Sequence, residues 1–196
     1  ALKPLNAISK IKRVVVSTYQ AVSGGGKEAM EELENQVKAI NAGEEVVANI
    51  LPGKSLEKHY QIAFNLLPQI DVFQDNLYTK EEMKMVNETV KIMEDDNIRV
   101  TATTIRVPVY RSHAESVNVE FEDEVSVEKA REVLAKFPGV TLRDNPAEQE
   151  YPQPLETSGK NDVEVGRIRK DYSIENGLNF WVCGDQIRKG AALNAV

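Results

Sequence analysis

Residues 98–121 read IRVTATTIRVPVYRSHAESVNVEF, and the fold turns on how this run is laid out. Apolar and polar residues alternate on both sides of Pro108, as in half-buried strands. The run also carries Arg106 and His113, the latter one of only two histidines in the chain. As one straight strand, seven steps of roughly 3.3 Å would hold these two side chains over ~20 Å apart and on opposite faces. Pro108 argues against a straight course, because it removes a ladder donor and fixes its own φ. The expected layout is two strands, over 98–107 and 114–122, turned back on one another as a broad hairpin. Ile98, Val100 and Ala102 then share a face with Arg106, while Val117, Val119 and Phe121 share one with His113. Hairpin closure brings guanidinium and imidazole together at the rim of the core. The same parity admits a plainer arrangement, in which Arg106 is a structural cation paired with Glu115 and His113 is partly exposed.

The flanking segments alternate between the two periodicities. Val14, Val15 and Val16 are β-branched neighbours of the sort a buried strand prefers, and Gly24, Gly25 and Gly26 end that run. Met30, Leu33, Val37 and Ile40 form one apolar helical stripe that Gly43 stops. Met83, Val86, Val90 and Met93 predict a second helix after Thr79, and Ala130, Val133, Leu134 and Phe137 a third. Further strands are expected at 163–170 and 178–183. Closely successive strands, with helices in no strict strand–helix order, predict an α+β fold with a mixed, largely antiparallel sheet and helices packed on one face. Residues 144–162 form a long connection rich in Pro and polar residues, the kind that reaches over a neighbour. No internal repeat is visible, and a single domain over 1–196 is expected.

Composition narrows the function classes. The 196 residues are 41% hydrophobic and 28% charged, as in a globular domain. A net charge of −7 and the lack of a Lys/Arg run argue against nucleic acid. No apolar stretch approaches the roughly 20 residues of a spanning helix, and the N-terminus lacks a signal-peptide layout. The single cysteine, Cys183, excludes an intrachain disulfide and suits a reducing cytoplasm. The chain starts at Ala1 without Met and stops at Val196 inside a helical pattern, which suggests a piece of a longer protein.

Several motifs fail on inspection. Gly24-x-Gly26-x-x-Ala29, with Glu44 further on, nominally satisfies a dinucleotide fingerprint, but the polar stretch broken by Pro52 and Gly53 leaves no second strand for the acid. The glycines are better read as a tight strand-to-helix turn. GGGK lacks the first glycine and the Ser/Thr of a phosphate loop. His59 and His113 are far apart and Cys183 has no second thiol nearby, so no zinc spacing exists. Cys183 lies in the most apolar strand and reads as an inert buried thiol. His59 reads as a surface residue of a polar linker.

The runs VVVSTYQAVSG, YTKEEMKMVNET, IRVPVYRSHAESVNVEF, VGRIRKD and RKGAALNAV resemble, in order and over nearly the whole chain, the C-terminal catalytic and dimerisation domain of bacterial aspartate-semialdehyde dehydrogenases. The resemblance implies a sheet domain like the C-terminal domain of glyceraldehyde-phosphate dehydrogenase. It implies the NADPH-dependent reductive dephosphorylation of 4-phospho-L-aspartate to L-aspartate 4-semialdehyde, on the route to lysine, threonine and methionine. It places the nucleophilic cysteine just before Ala1, and NADP mainly on a domain absent here, so that the fragment alone is expected to be inactive. It assigns His113 as general acid and base and Gln20 as the residue orienting the thioester. Arg106 grips the substrate α-carboxylate, Glu81 meets its amino group, Lys84 meets phosphate, and Asn194 contacts the cofactor. A homodimer with small-molecule substrate and phosphate as ligands is expected. Without the resemblance, Glu81, Lys84 and Glu88 read as a surface ion-pair cluster on one helix face. The sibling N-acetyl-glutamyl-phosphate reductase and a non-catalytic dimerisation module are the other readings. Glu81 speaks against the sibling, since an acetylated nitrogen has no charge to pair.

Overall fold

The computed structural model describes residues 1–189. In chain order the elements are α1 (Leu2–Asn6), β1 (Ile11–Ala21), α2 (Lys27–Ala42), α3 (Lys80–Met93), β2 (Arg99–Val107), β3 (His113–Phe121), α4 (Val127–Lys136), β4 (Val140–Leu142), α5 (Pro154–Thr157), β5 (Val163–Asp171) and β6 (Gly177–Gly184). The strands form one six-stranded sheet in the order β2-β1-β3-β6-β5-β4. Pairs β1–β2 and β4–β5 are parallel and the other three antiparallel, giving the mixed α+β architecture expected.

The hairpin is a correction. β2 and β3 do not pair, because β1 lies between them, parallel to one and antiparallel to the other. The longest strand, with its three consecutive valines, takes a central position. The 108–112 connection instead passes around the end of β1, where Val22 and Ser23 donate their N–H groups to Val109 O (2.8 Å) and Tyr110 O (3.1 Å). Ser112, at φ 72° in the left-handed region, completes the turn.

Alternation along the strands sends one face of the sheet into the core. Val14, Val16, Ala102, Val117, Val119, Phe121, Leu178 and Phe180 cluster there with Leu5 of α1 and Ala130 and Leu134 of α4, and Met85 and Met93 of α3 pack against them. Of the expected Met83, Val86, Val90 and Met93 stripe, Met93 packs on this core, joined by Met85, and the other three are half-buried. Glu82 is buried, completes a capping box with Thr79, and accepts the N–H of Thr104 at 3.0 Å, which ties the helix start to β2.

A second cluster lies beyond the end of β1. Ala29 and Leu33 of α2 meet Val22, Leu51, Ile62, Ala63 and Leu67. The segment after Gly43, which reads as a polar linker, thus contributes core residues while remaining irregular. Its backbone donors are met by two polar side chains on the buried face of α2: Glu32 accepts from the N–H groups of Asn49, Ile50 and Leu51, and Gln36 from those of Ile62 and Ala63. His59 is another correction, being half-buried with an enclosed Nε2. The 144–162 connection is not structureless. It contains a 3₁₀ turn at Pro146–Glu148 and α5, and Pro152 O accepts from the Trp181 indole at 3.1 Å.

Candidate active site

Strand register assembles the site. Gln20 near the end of β1 stands beside Arg106 near the end of β2, on the face that buries Val14 and Val16. His113 opens β3 on the other side of β1. Arg106 and His113 therefore do converge, as the parity of the sequence suggests, but across the end of β1 rather than across a hairpin. Both are fixed to the same backbone residue: Ala21 N–H donates to His113 Nδ1 at 3.0 Å, and Ala21 O accepts from Arg106 Nη1 at 2.7 Å.

Gly24 packs directly onto this pair. A Cβ at that position would lie 2.8 Å from Arg106 Nη1 and 3.5 Å from His113 Cε1 and Nε2. The glycine run is thus more than a turn, since Gly24 lets backbone approach the guanidinium. α2 is followed by coil rather than a strand, so these glycines do not belong to a strand–helix–strand dinucleotide unit.

The N-terminal turn of α3 supplies the opposite wall. Glu81 Oε1 accepts from Gln20 Nε2 at 3.4 Å, and Gln20 Nε2 also donates to Thr18 Oγ1 at 3.3 Å. Lys84 Nζ stands 3.7 Å from Glu81 Oε2. Gln20, Gly24, Glu81, Lys84, Arg106 and His113 all line one open cleft of about 680 Å³. Sequence reasoning passed over other lining residues: Pro52, Gly53, Ser55, Leu56, Ile70 to Val72, Gln186 and Lys189. The signal available for the last two was a cluster of polar residues immediately after the buried β6.

The electrostatics are uneven. Arg106 is only 4% exposed, and among the described residues no carboxylate lies within ion-pair distance of it, so the Arg106–Glu115 pairing is not formed. Its buried Nε has no hydrogen-bond partner. Burial lowers its pKa to about 10, partly offset by the charge of Glu81, and the group remains cationic at neutral pH. Burial, reinforced by the Arg106 charge, takes the His113 pKa down to about 4, against opposing effects of the Ser112 backbone and Asp185. The Glu115 carboxyl is pushed upward by burial. Cys183 is buried on the other face of the sheet, opposite Ala114, and burial raises its thiol to about 12. Asn194 lies outside the described residues.

A cleft that combines an unpaired buried guanidinium, a lysine beside a carboxylate, and an imidazole suits a zwitterionic ligand with a second anionic group. The fold and cleft together define a mixed α+β sheet domain with an open polar cleft at the ends of β1 and β2. The chain belongs to the family described as "Semialdehyde dehydrogenase, dimerisation domain", which it matches over residues 2–189. It is 52% identical to an aspartate-semialdehyde dehydrogenase of Bacillus subtilis over all of this chain and 57% of that protein. It is 55% identical to that of Aquifex aeolicus, again over all of this chain and 56% of the relative. The crystal structure of aspartate semialdehyde dehydrogenase II from Vibrio cholerae superposes with a TM-score of 0.91 at 42% identity, covering 99% of this chain and 55% of that one. The same enzyme is known complexed with ASA. The chain spans about half the length of the curated relatives it matches.

Proposed function

We propose that this chain is the substrate-binding and dimerisation part of an aspartate-semialdehyde dehydrogenase, serving the reductive dephosphorylation of 4-phospho-L-aspartate to L-aspartate 4-semialdehyde. The observation that carries the reading is Arg106: a buried cation whose Nε has no partner and which shares a cleft with Lys84 and Glu81. On this reading the guanidinium grips the α-carboxylate through its planar fork, Glu81 pairs the α-ammonium, and Lys84 meets the phosphate. Gln20 orients the acyl group from the strand beside Arg106, and His113 serves the acyl oxygen. Glu81 favours a free amino group over an acylated one. Cys183, buried on the other face, is unsuited to act as nucleophile, so the thiolate comes from outside this chain. NADP, when bound, supplies hydride. The described residues offer it no strand-flanked cradle, so it is held mainly by parts that this chain does not span. The family description supports a homodimer.

The test is titration of the chain with inorganic phosphate and with a non-reactive aspartate analogue, followed by NMR. Arg106, Lys84 and His113 should respond together to the analogue, with Lys84 dominating the phosphate response. Shifts scattered over unrelated surface positions would end the reading.

A further inference from the structure

β2 is the border strand of the sheet, so the backbone donors on its outer side must find acceptors outside the ladder. Two of them lie near the cleft. Arg106 N–H is met by Leu67 O at 2.9 Å. Thr104 N–H, two residues earlier on the same side, is met by a carboxylate: Glu82 Oε1 accepts it at 3.0 Å. Glu82 Oε2 accepts the N–H of Thr79 at 2.8 Å, and Thr79 Oγ1 lies 3.4 Å from Thr104 Oγ1. Thr79 and Thr104 are fully buried and Glu82 nearly so. One side chain therefore spans from the N-cap of α3 to the edge of β2, and backbone donors use both of its oxygens.

This joint has cleft residues on either side of it. Glu81 precedes Glu82 in the first turn of α3, and Lys84 follows in the same helix. Arg106 follows Thr104 on β2, with its side chain on the same face. Thr18 is paired in register with Thr104 and accepts from Gln20 Nε2, which also donates to Glu81 Oε1 at 3.4 Å. The path from Glu81 to Arg106 thus runs through buried polar groups. A helix start held only by apolar contacts is free to shift along the strand. Two charge-assisted bonds to backbone prevent this, because any shift would leave a buried amide without an acceptor.

We propose that Glu82 is a positioning residue for the ligand: its carboxylate sets the separation between Glu81 and Arg106, and so selects ligands that carry an ammonium and a carboxylate on one carbon. The proposal rests on the functional reading above for the roles of Glu81 and Arg106. Glu82 acts through the first turn of α3. Releasing Thr104 frees that turn from β2 and draws Glu81 away from Gln20. Arg106 keeps its own anchors, Ala21 O for the guanidinium and Leu67 for its backbone. The effect is one-sided: recognition of the carboxylate survives and recognition of the ammonium is lost.

Glu82→Gln tests this in the full chain, because it keeps the length and one acceptor but sets an NH2 group against the second amide. Without ligand, the Gln20 side-chain NH2 signals in a ¹H–¹⁵N spectrum report the Glu81 contact. They should move in Glu82→Gln, with faster exchange of the Thr104 amide. With ligand, calorimetry compares L-aspartate with succinate, which lacks the amino group. The preference for aspartate should fall about tenfold, the scale of one misaligned charge-assisted bond, with succinate affinity unchanged. Unmoved Gln20 signals would overturn the proposal. So would a preserved preference, including equal weakening of both ligands, which is what a purely structural role gives. If Glu82→Gln does not fold, Thr79→Ala, which removes the cap oxygen and the Thr104 contact, is compared with Thr79→Ser, which keeps both. Gln20 signals displaced in the first and restored in the second are expected, and signals unaltered in both would refute the joint. Should the native chain show no preference for aspartate over succinate, the functional reading falls, while the Gln20 signals still decide whether Glu82 places Glu81.

Discussion

Gly24→Ala is the most informative single substitution, because its effect is confined to the site. Gly24 is not in the left-handed region, so alanine meets no backbone penalty there. The added methyl would instead lie 2.8 Å from Arg106 Nη1, closer than real carbon contacts allow, and the guanidinium is the group that must move. Movement breaks its 2.7 Å bond to Ala21 O. A hydrogen bond to a charged group is worth roughly 1.5–3 kcal/mol, and 1.4 kcal/mol is a factor of ten in affinity, so binding of an aspartate analogue should weaken about ten- to a hundredfold. Global stability should fall by about 0.5–2.6 kcal/mol, because the lost charged hydrogen bond costs roughly 1.5–3 kcal/mol and replacing glycine by alanine at a compatible backbone position offsets about 0.4–1 kcal/mol of it through the unfolded state. Isothermal titration calorimetry and thermal unfolding on the same preparation separate the two effects. Unaltered analogue affinity in a folded variant would refute the packing of Arg106 against Gly24 as the determinant of its aim.

Other outcomes follow from buried groups. Glu82→Ala removes acceptors for the Thr79 and Thr104 amides and should cost about 2–4 kcal/mol in urea unfolding, with a lowered midpoint and an unchanged slope. Cys183, with a thiol raised to about 12, should resist disulfide reagents at pH 8 in the folded chain and react at once in denaturant. Folded His113, at about 4, binds its proton less readily than the unfolded residue near 6.5. Its contribution is therefore fully present above pH ~6.5 and is lost as pH falls through about 4, a total on the order of 3 kcal/mol. Unfolding curves between pH 7 and 4.5, compared with those of His113→Asn, should show the variant losing less stability on acidification.

Local chemistry was the most legible part of the sequence. The apolar period after Thr79 marks a helix that starts at Lys80, Gly43 takes the left-handed C-cap of α2 at φ 70°, and the alternation of 98–107 and 163–170 fixes strands close to their observed bounds. Strand order was not legible, because the insertion of β1 between β2 and β3 is decided by contacts distant in sequence. Parity nevertheless predicted the meeting of Arg106 and His113, since side-chain face is set by alternation whichever strand lies between. Glu32 and Gln36 were invisible as core residues: a polar side chain on a helix reads as exposed unless the backbone donors it will satisfy are known. The 52–56 and 70–72 walls of the cleft escaped for the same reason, being irregular segments without a period of their own.

The margins of the sheet set how the chain can associate. At one margin Arg106 exchanges both of its backbone hydrogen bonds with Leu67, at 2.9 and 3.1 Å, and α3 packs along β2. At the other, β4 is only three residues long. Both borders are poor templates for an incoming strand. Lateral, fibril-like growth by strand addition is discouraged at both margins.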